Sequence, residues 1–349
     1  MRVPNWARRM IGGCFALVAL LFTACGRTII RQDTLNPAGR SAHREAGLFW
    51  FVFWIAVVVF VLVEGLLVVA IVRFRHRPGR GVPKQVHGNK RLEVTWTIVP
   101  ALLLLGVAVP TVGTIFSLSR QPAGALHVTV TGHQWWWEVA YPGTKVVTAN
   151  EIHIPTGRPV YVRLESKDVI HSFWIPRLAG KQDLEPGDVR YLNIQTDRPG
   201  VYQGQCAEYC GISHANMRMR VFADPPARFR AWLAEQAGPP RTPSSSLVTQ
   251  GQQLFDKGTS GGVQCTACHS TQPGVGGTIG PNLAHFGSRT TFAGSIFLRN
   301  EINLRHWLEN PQGSKPGNDM DIGPGGKPGR SALTDQEIDA LIAYLESLK

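Results

Sequence analysis

The first third of this 349-residue sequence is short of negative charge: residues 1–119 hold 4 Asp/Glu against 14 Lys/Arg, a net of +10. Residues 120–349 hold 20 against 22, a net of only +2. The formal charge of +12 therefore belongs to a leader and a basic turn. The rest of the chain has no basic excess with which to bind nucleic acid, and that class of function is excluded. Cysteine is scarce too, with six residues at 14, 25, 206, 210, 265 and 268. The last four fall in two tight clusters with ligand-type spacing, so no structural disulfide is expected even in an oxidising compartment. Of the five methionines, only Met320 lies beyond Cys268, which narrows the choice of a soft ligand in that part of the chain. The length alone predicts two or three domains.

The chain opens with Arg2, Arg8 and Arg9 ahead of an apolar run from Ile11 to Phe22, the pattern of a bacterial export signal over residues 1–25. It ends Phe22-Thr23-Ala24-Cys25-Gly26, which resembles a lipoprotein cleavage site with Cys25 as the lipidated residue, although Phe22 stands where Leu is usual. Cys14 is expected to leave with the leader. A transmembrane hairpin is predicted over 45–118. Gly47–Val72 is 26 residues with one charge, Glu64, long enough to cross the ~30 Å hydrocarbon core with some tilt. Trp50 and Trp54 suit an interfacial end. Glu64 either meets a partner subunit or snorkels from near the helix end. Seven Lys/Arg between Arg73 and Arg91 place that turn in the cytoplasm. The second span runs from about Trp96 to Phe116 with Pro100 and Pro110 inside it, tolerated where neighbours satisfy the freed carbonyls. Both ends, and the long C-terminal part, then lie outside.

From Leu126 the period becomes two. Leu126, Val128 and Val130 alternate with His127, Thr129 and Thr131, and Val160–Leu164 and Val189–Ile194 read alike, predicting a small antiparallel sandwich or barrel. Within it lies Gly132-His133-Gln134-Trp135-Trp136-Trp137. Since adjacent strand residues face opposite sides, the three tryptophans are not all expected in the core. The Gly/Pro/Ser-rich stretch 238–246 reads as a linker. A linker of about nine residues would hold the C-terminal segment beside the sandwich at an effective concentration of ~1 mM. In the tail, Thr334 and Glu337 form a capping box. Ile338, Leu341, Ile342 and Leu345 make one apolar stripe, expected to pack on a first helix around Thr249–Asp256.

Two clusters carry chemistry. Cys206-Ala207-Glu208-Tyr209-Cys210-Gly211-Ile212-Ser213-His214-Ala215-Asn216-Met217 gathers two thiolates, an imidazole, a carboxylate and a thioether. Soft thiolate and thioether together point to copper, whereas zinc sites rarely use Met. A mononuclear blue-copper site needs one Cys and two His; here a second Cys allows two metals to be bridged. The missing second imidazole has a candidate in His171. The other cluster is Cys265-Thr266-Ala267-Cys268-His269. C-x-x-C-H attaches a c-type haem through two thioethers, with the adjacent His as proximal ligand. Met320 is the candidate sixth ligand, with His285 and His306 as rivals.

The first cluster, with His171, resembles the binuclear copper (Cu-A) site of cytochrome c oxidase subunit II. The resemblance implies a cupredoxin-like sandwich over 122–225, Cys206 and Cys210 bridging both coppers, His171 and His214 each terminating one, and Met217 and the Glu208 carbonyl completing the set. It also implies a Mg²⁺ shared with subunit I through the Glu208 carboxylate, and Trp135 as the point where electrons enter. Leu92-Glu93-Val94-Thr95-Trp96 at the start of the second span is similar to the same family and gives Glu93 a place at the mouth of a proton channel in subunit I. Gly280-Pro281-Asn282-Leu283 and Pro316-Gly317-Asn318-Asp319-Met320 resemble class I cytochromes c, over residues 247–349. The whole resembles subunit II of a caa-type oxidase, which implies a bacterial inner-membrane location and subunits I and III as partners. Cytochrome c or a cytochrome bc complex would be the donor, and electrons would run from haem c to copper to haem a. Oxygen reduction and proton pumping would belong to the complex.

Overall fold

The computed structural model describes residues 32–75, 79, 81, 85, 87–240, 245–276, 279–324 and 330–349. The expected leader, with Cys14 and Cys25, lies outside them, as does most of the basic turn and the middle of the 238–246 stretch.

Among the described residues two long helices come first, α1 (Arg40–Phe74) and α2 (Lys90–Ser119). At 35 and 30 residues they are about 50 and 45 Å long, enough to cross a bilayer. Their apolar side chains are exposed along both, Val58, Ile71 and Val109 each by two-thirds or more. α2 runs through Pro100 and Pro110 without a break. It begins where the Asn89 side chain accepts from the Arg91 and Leu92 amides. α1 starts about two turns before the apolar run because its first turns belong to the next domain. Ser41 donates to the Asn193 carbonyl at 2.8 Å, and Ser41 and Ala42 are buried. Asn193 also donates to the Arg120 carbonyl at the end of α2.

The β domain has ten strands: β1 (Leu126–His133), β2 (Trp136–Tyr141), β3 (Val146–Ala149), β4 (Glu151–Pro155), β5 (Val160–Ser166), β6 (His171–Trp174), β7 (Gln182–Leu184), β8 (Arg190–Ile194), β9 (Gly200–Cys206) and β10 (Arg218–Asp224). They form two five-stranded sheets, ordered β3-β2-β1-β5-β8 and β4-β10-β9-β6-β7. The three sequence-predicted strands are β1, β5 and β8. The sandwich is not wholly antiparallel, however: β1 pairs β5 and β4 pairs β10 in parallel, because each pair is joined by a crossover rather than a hairpin. Between the sheets lie Val128, Val130, Trp137, Leu164, Phe173 and Val221, one face of each strand as the period of two requires. Helix α3 (Pro226–Ala237) closes one end, where Trp232 stacks on His153 at 4.0 Å between ring centroids.

The C-terminal domain is mostly helical: α4 (Ser246–Lys257), a short β11–β12 ribbon (Thr291–Phe292, Phe297–Leu298), α5 (Glu301–Glu309), α6 (Pro311–Ser314) and α7 (Asp335–Ser347). α4 crosses α7 so closely that a Cβ on Gly251 would lie 1.9 Å from the Ala340 carbonyl. Ile338, Leu341, Ile342 and Leu345 are all buried there. The Thr334–Glu337 capping box is formed.

Candidate metal centres

Sheet pairing delivers the donors of the first cluster. Cys206 is the last residue of β9 and Met217 immediately precedes β10, so the cluster is the connection of one hairpin. The Cys206 amide closes it on the Met217 carbonyl at 2.9 Å. β6 lies beside β9, with Phe173 opposite Cys206, and this places His171 at the same edge. The two thiol sulfurs are 3.8 Å apart, free thiols rather than a disulfide, whose S–S distance is about 2 Å. His171 Nδ1 lies 3.9 Å from Cys206 Sγ, His214 Nδ1 3.5 Å from Cys210 Sγ, Met217 Sδ 3.8 Å from Cys210 Sγ, and the Glu208 carbonyl 3.2 Å from Cys206 Sγ. All six candidate ligands converge in one pocket, with His171, Cys206, Cys210 and Met217 buried. Two thiols, two imidazoles, a thioether and a carbonyl form a donor set that suits copper and not a hard cation.

Asp168, which carries no ligand-type spacing of its own, orders this site. Its carboxylate accepts from His171 Nε2 at 2.8 Å, so the other ring nitrogen, Nδ1, is the one presented to the thiols. The same carboxylate accepts from the Gln134 amide at 2.7 Å and the Val169 amide at 2.6 Å. Burial works against charge on His171, yet the Asp168 hydrogen bond and the nearby Cys206 sulfur outweigh it and raise its pKa. In the thiol pair, the hydrogen bond from Cys210 favours the thiolate at Cys206 and holds the Cys210 proton on. An Asp three residues before a candidate His is the signal that sequence reasoning missed.

All three tryptophans are buried, contrary to the alternation rule: Trp135 and Trp136 are 7% exposed and Trp137 0%. Trp136 and Trp137 begin β2 and do face opposite ways. Trp137 packs edge-on against His171 and Phe173, while Trp136 stacks on His133 at 4.3 Å. Trp135 lies in the turn before β2. Its indole Nε1 donates to the Cys210 carbonyl at 2.8 Å, and its outer edge is covered by the C-terminal domain. A Cβ on Gly317 would lie 3.0 Å from Trp135 Cη2.

In the C-terminal domain, Cys265–Ala267 is a single 3-10 turn, and the Cys268 and His269 amides both return to the Cys265 carbonyl, at 3.2 and 2.9 Å. His269 Nδ1 donates to the Pro281 carbonyl at 2.8 Å, which leaves Nε2 as the ligating nitrogen. A Cβ on Gly280 would lie 2.5 Å from the His269 ring, so only glycine lets this strand of backbone pass. Two free cysteines beside an imidazole with one nitrogen tied back fit covalent haem. Met320 and Cys265 pack against one apolar cluster with Phe255, Leu283 and Leu341. The rival His285 is buried, with its Nε2 bonded to the Gly238 carbonyl at 3.0 Å. His306 is exposed on α5, edge-on to Phe297.

Three family models match: cytochrome c oxidase subunit II, transmembrane domain, over residues 32–113; its periplasmic domain over 144–223; and cytochrome c over 248–349. Cytochrome c oxidase subunit 2 of Bacillus subtilis is 37% identical over 368 residues, covering 99% of each chain. The chain belongs to the cytochrome c oxidase subunit II family. Quinol oxidase subunit 2 of Bacillus subtilis is 32% identical over 230 residues, 62% of this chain and 70% of that one. The crystal structure of the periplasmic domain of the oxidase subunit II of Bradyrhizobium japonicum covers 32% of this chain and 94% of its own, at 28% identity and a TM-score of 0.31. As a subunit II, the chain is a membrane protein with a periplasmic domain, fused here to a cytochrome c domain. Glu93 sits in the first turn of α2, where its carboxylate accepts from the Asn89 amide at 3.2 Å and so serves the helix start. Glu208 is partly exposed within the Cys206–Met217 loop.

Proposed function

We propose that the chain carries electrons from its cytochrome c domain to the Cys206–Met217 loop and on to haem a of subunit I, in a complex that reduces oxygen to water and pumps protons. The observation that carries this reading is the position of Trp135. One indole joins the two cofactor loops, hydrogen-bonded to the Cys210 carbonyl on one side and packed against Gly317, three residues before Met320, on the other. A copper pair in the loop and a haem on Cys265 and Cys268 would supply one-electron chemistry at the two ends.

In this reading Cys206, Cys210, His171, His214, Met217 and the Glu208 carbonyl would hold the copper pair. Asp168 orients His171, and Trp137 and Phe173 keep water from its buried side. Cys265, Cys268, His269 and Met320 would hold the haem. At 7% exposure, Trp135 is closed to a diffusing donor, so reduction from cytochrome c or a cytochrome bc complex begins at the C-terminal domain. The Glu208 carboxylate contributes to a Mg²⁺ site at the contact with subunit I. Glu93 stands at a proton channel of that subunit, subunit III completes the complex, and the whole lies in the bacterial inner membrane. An export leader over 1–25, with Cys25 as its lipidation site, belongs to the same reading.

The test is metal and haem analysis of the detergent-purified full chain, then flash reduction of the haem. The expected result is two coppers and one covalent haem per chain, with copper reduced after haem. One copper, a zinc, or a haem that stays reduced beside oxidised copper would overturn it.

A further inference from the structure

The sequence offers a flexible tether between the two electron-carrying domains; the structure shows a seam. Glu151, the first residue of β4, is 4% exposed, and its carboxylate is filled by the other domain. It accepts from the Thr290 and Thr291 amides at 2.9 and 2.8 Å and from their hydroxyls at 2.5 and 2.8 Å. Hydrogen bonds to a charged acceptor are among the strong ones, and a carboxylate this far from water is tolerable only with such partners. Undocking the domains would remove all four at once.

A second anchor comes from the opposite direction. Lys315 of the cytochrome c domain is 3% exposed, and its ammonium donates to the carbonyl of Trp135 and to that of Ala293, the latter at 3.2 Å. The lysine therefore grips the backbone of the residue that joins the two loops. Around it the backbones approach closely: the Ser213 hydroxyl donates to the Pro316 carbonyl at 2.5 Å and the Arg218 amide to the Gly294 carbonyl at 3.0 Å. Gly317 has φ +81, and any side chain there would press on the Trp135 ring.

Taking Trp135 as the proposed route between the cofactors, we infer that Glu151 and Lys315 are positioning residues that lock the cytochrome c domain onto the Trp135 face. Electron passage then runs through a fixed contact that does not depend on the linker. A tethered search would make transfer depend on diffusion of the domain, whereas a locked seam makes it independent of solvent viscosity.

Flash reduction of the haem in the purified oxidase, with copper monitored by its near-infrared absorbance, separates the two. The variants are the pair Thr290→Val and Thr291→Val, the conservative pair Thr290→Ser and Thr291→Ser, and Lys315→Met. The wild-type rate should not change with added glycerol. The valine pair and Lys315→Met should be ~10-fold slower or more, since small misplacements carry large rate costs, and should slow further with viscosity. The copper resonance and haem absorbance should stay as in wild type, and the serine pair should keep the wild-type rate. A valine pair with wild-type rate and no viscosity dependence overturns the lock. Should Lys315→Met lose copper, the threonine pair, outside both ligand loops, decides alone. A wild type in which copper is never reduced by haem overturns the proposed route instead.

Discussion

The copper loop hangs between two paired strands, whereas the haem loop lies between a helix and irregular chain. Cys206 and Met217 are pinned by β9 and β10, Ala207 donates to the Ser172 carbonyl at 2.9 Å, and the Gln134 and Trp135 side chains both bind the Cys210 carbonyl. The cysteines of this loop are thus placed by contacts from strands distant in the sequence. Around Cys265–His269 the bonds reach no more than 13 residues along the chain: the two amides returning to Cys265, Gly280 to the Cys268 carbonyl at 3.0 Å, and Leu283 to that of Ser270 at 2.7 Å. Both cysteines there are only partly buried. Preorganised ligands suit an exchangeable metal, which must be held by geometry alone. A covalently attached group brings its own constraint, and the surrounding fold can be looser.

Replacing one sulfur in each loop should give the largest and most unlike effects. Cys206→Ser should abolish the binuclear copper signature in electron paramagnetic resonance, because one bridge cannot hold two metals, while the haem stays. Cys268→Ser should leave both coppers in place and convert the haem to single-thioether attachment, seen as a shifted absorbance band. If either substitution emptied both sites, the two loops would not be independent and the contrast would fail.

Asp168→Asn tests preorganisation more gently. It keeps the shape but weakens the bond that fixes the His171 ring. Loss of such a partner typically costs about 10–100-fold in metal affinity, to be read from copper retained against a chelator. Affinity equal to wild type would mean that Trp137 and Phe173 alone orient the imidazole. Met217→Leu should have a smaller effect still: the copper is kept and its spectrum shifts, since a weak thioether tunes a site more than it holds it.

The candidate ligands were legible because five of the proposed copper donors and three of the proposed haem ones are local in sequence, where spacing and chemistry act together. Asp168 was not, because its role depends on the turn that folds it back under His171. The parallel pairing of β1 with β5 escaped the alternation pattern, which reports which face is buried and not which strand is the neighbour. The burial of Trp135 failed for a related reason. Alternation sorts residues within one domain, and this ring is covered by another. Glu151 and Lys315 carried no mark at all; a Glu opening a strand and a Lys in a Pro/Gly-rich loop read as solvated until the two domains are brought together.

The smallest effect concerns the scaffold away from both loops, and it compares how the two domains meet acid. Each has a carboxylate held below its usual range. Asp224, at the end of β10, is lowered chiefly by its hydrogen bond with His153 Nδ1 at 2.9 Å. Glu337 is desolvated, but the Thr334 and Ser260 amides more than offset this. A depressed folded-state value means the stabilisation is present above the unfolded pKa, near ~4, and is lost as pH falls through the folded value. Asp224→Asn should therefore destabilise the β domain at pH 7 by about 1–3 kcal/mol, the scale of a broken bond to a charged group, and lower its melting point by ~5 °C or more. In acid below that depressed folded-state value, wild type and variant should draw together, because the wild-type carboxyl is then protonated. Tryptophan fluorescence includes the five tryptophans of this domain, and haem absorbance reports the other domain alone in the same sample. A melting gap of equal size at both pH values would show that the Asp224 side chain acts through its shape, as a support for His153 between Phe222 and Trp232, and not through its charge.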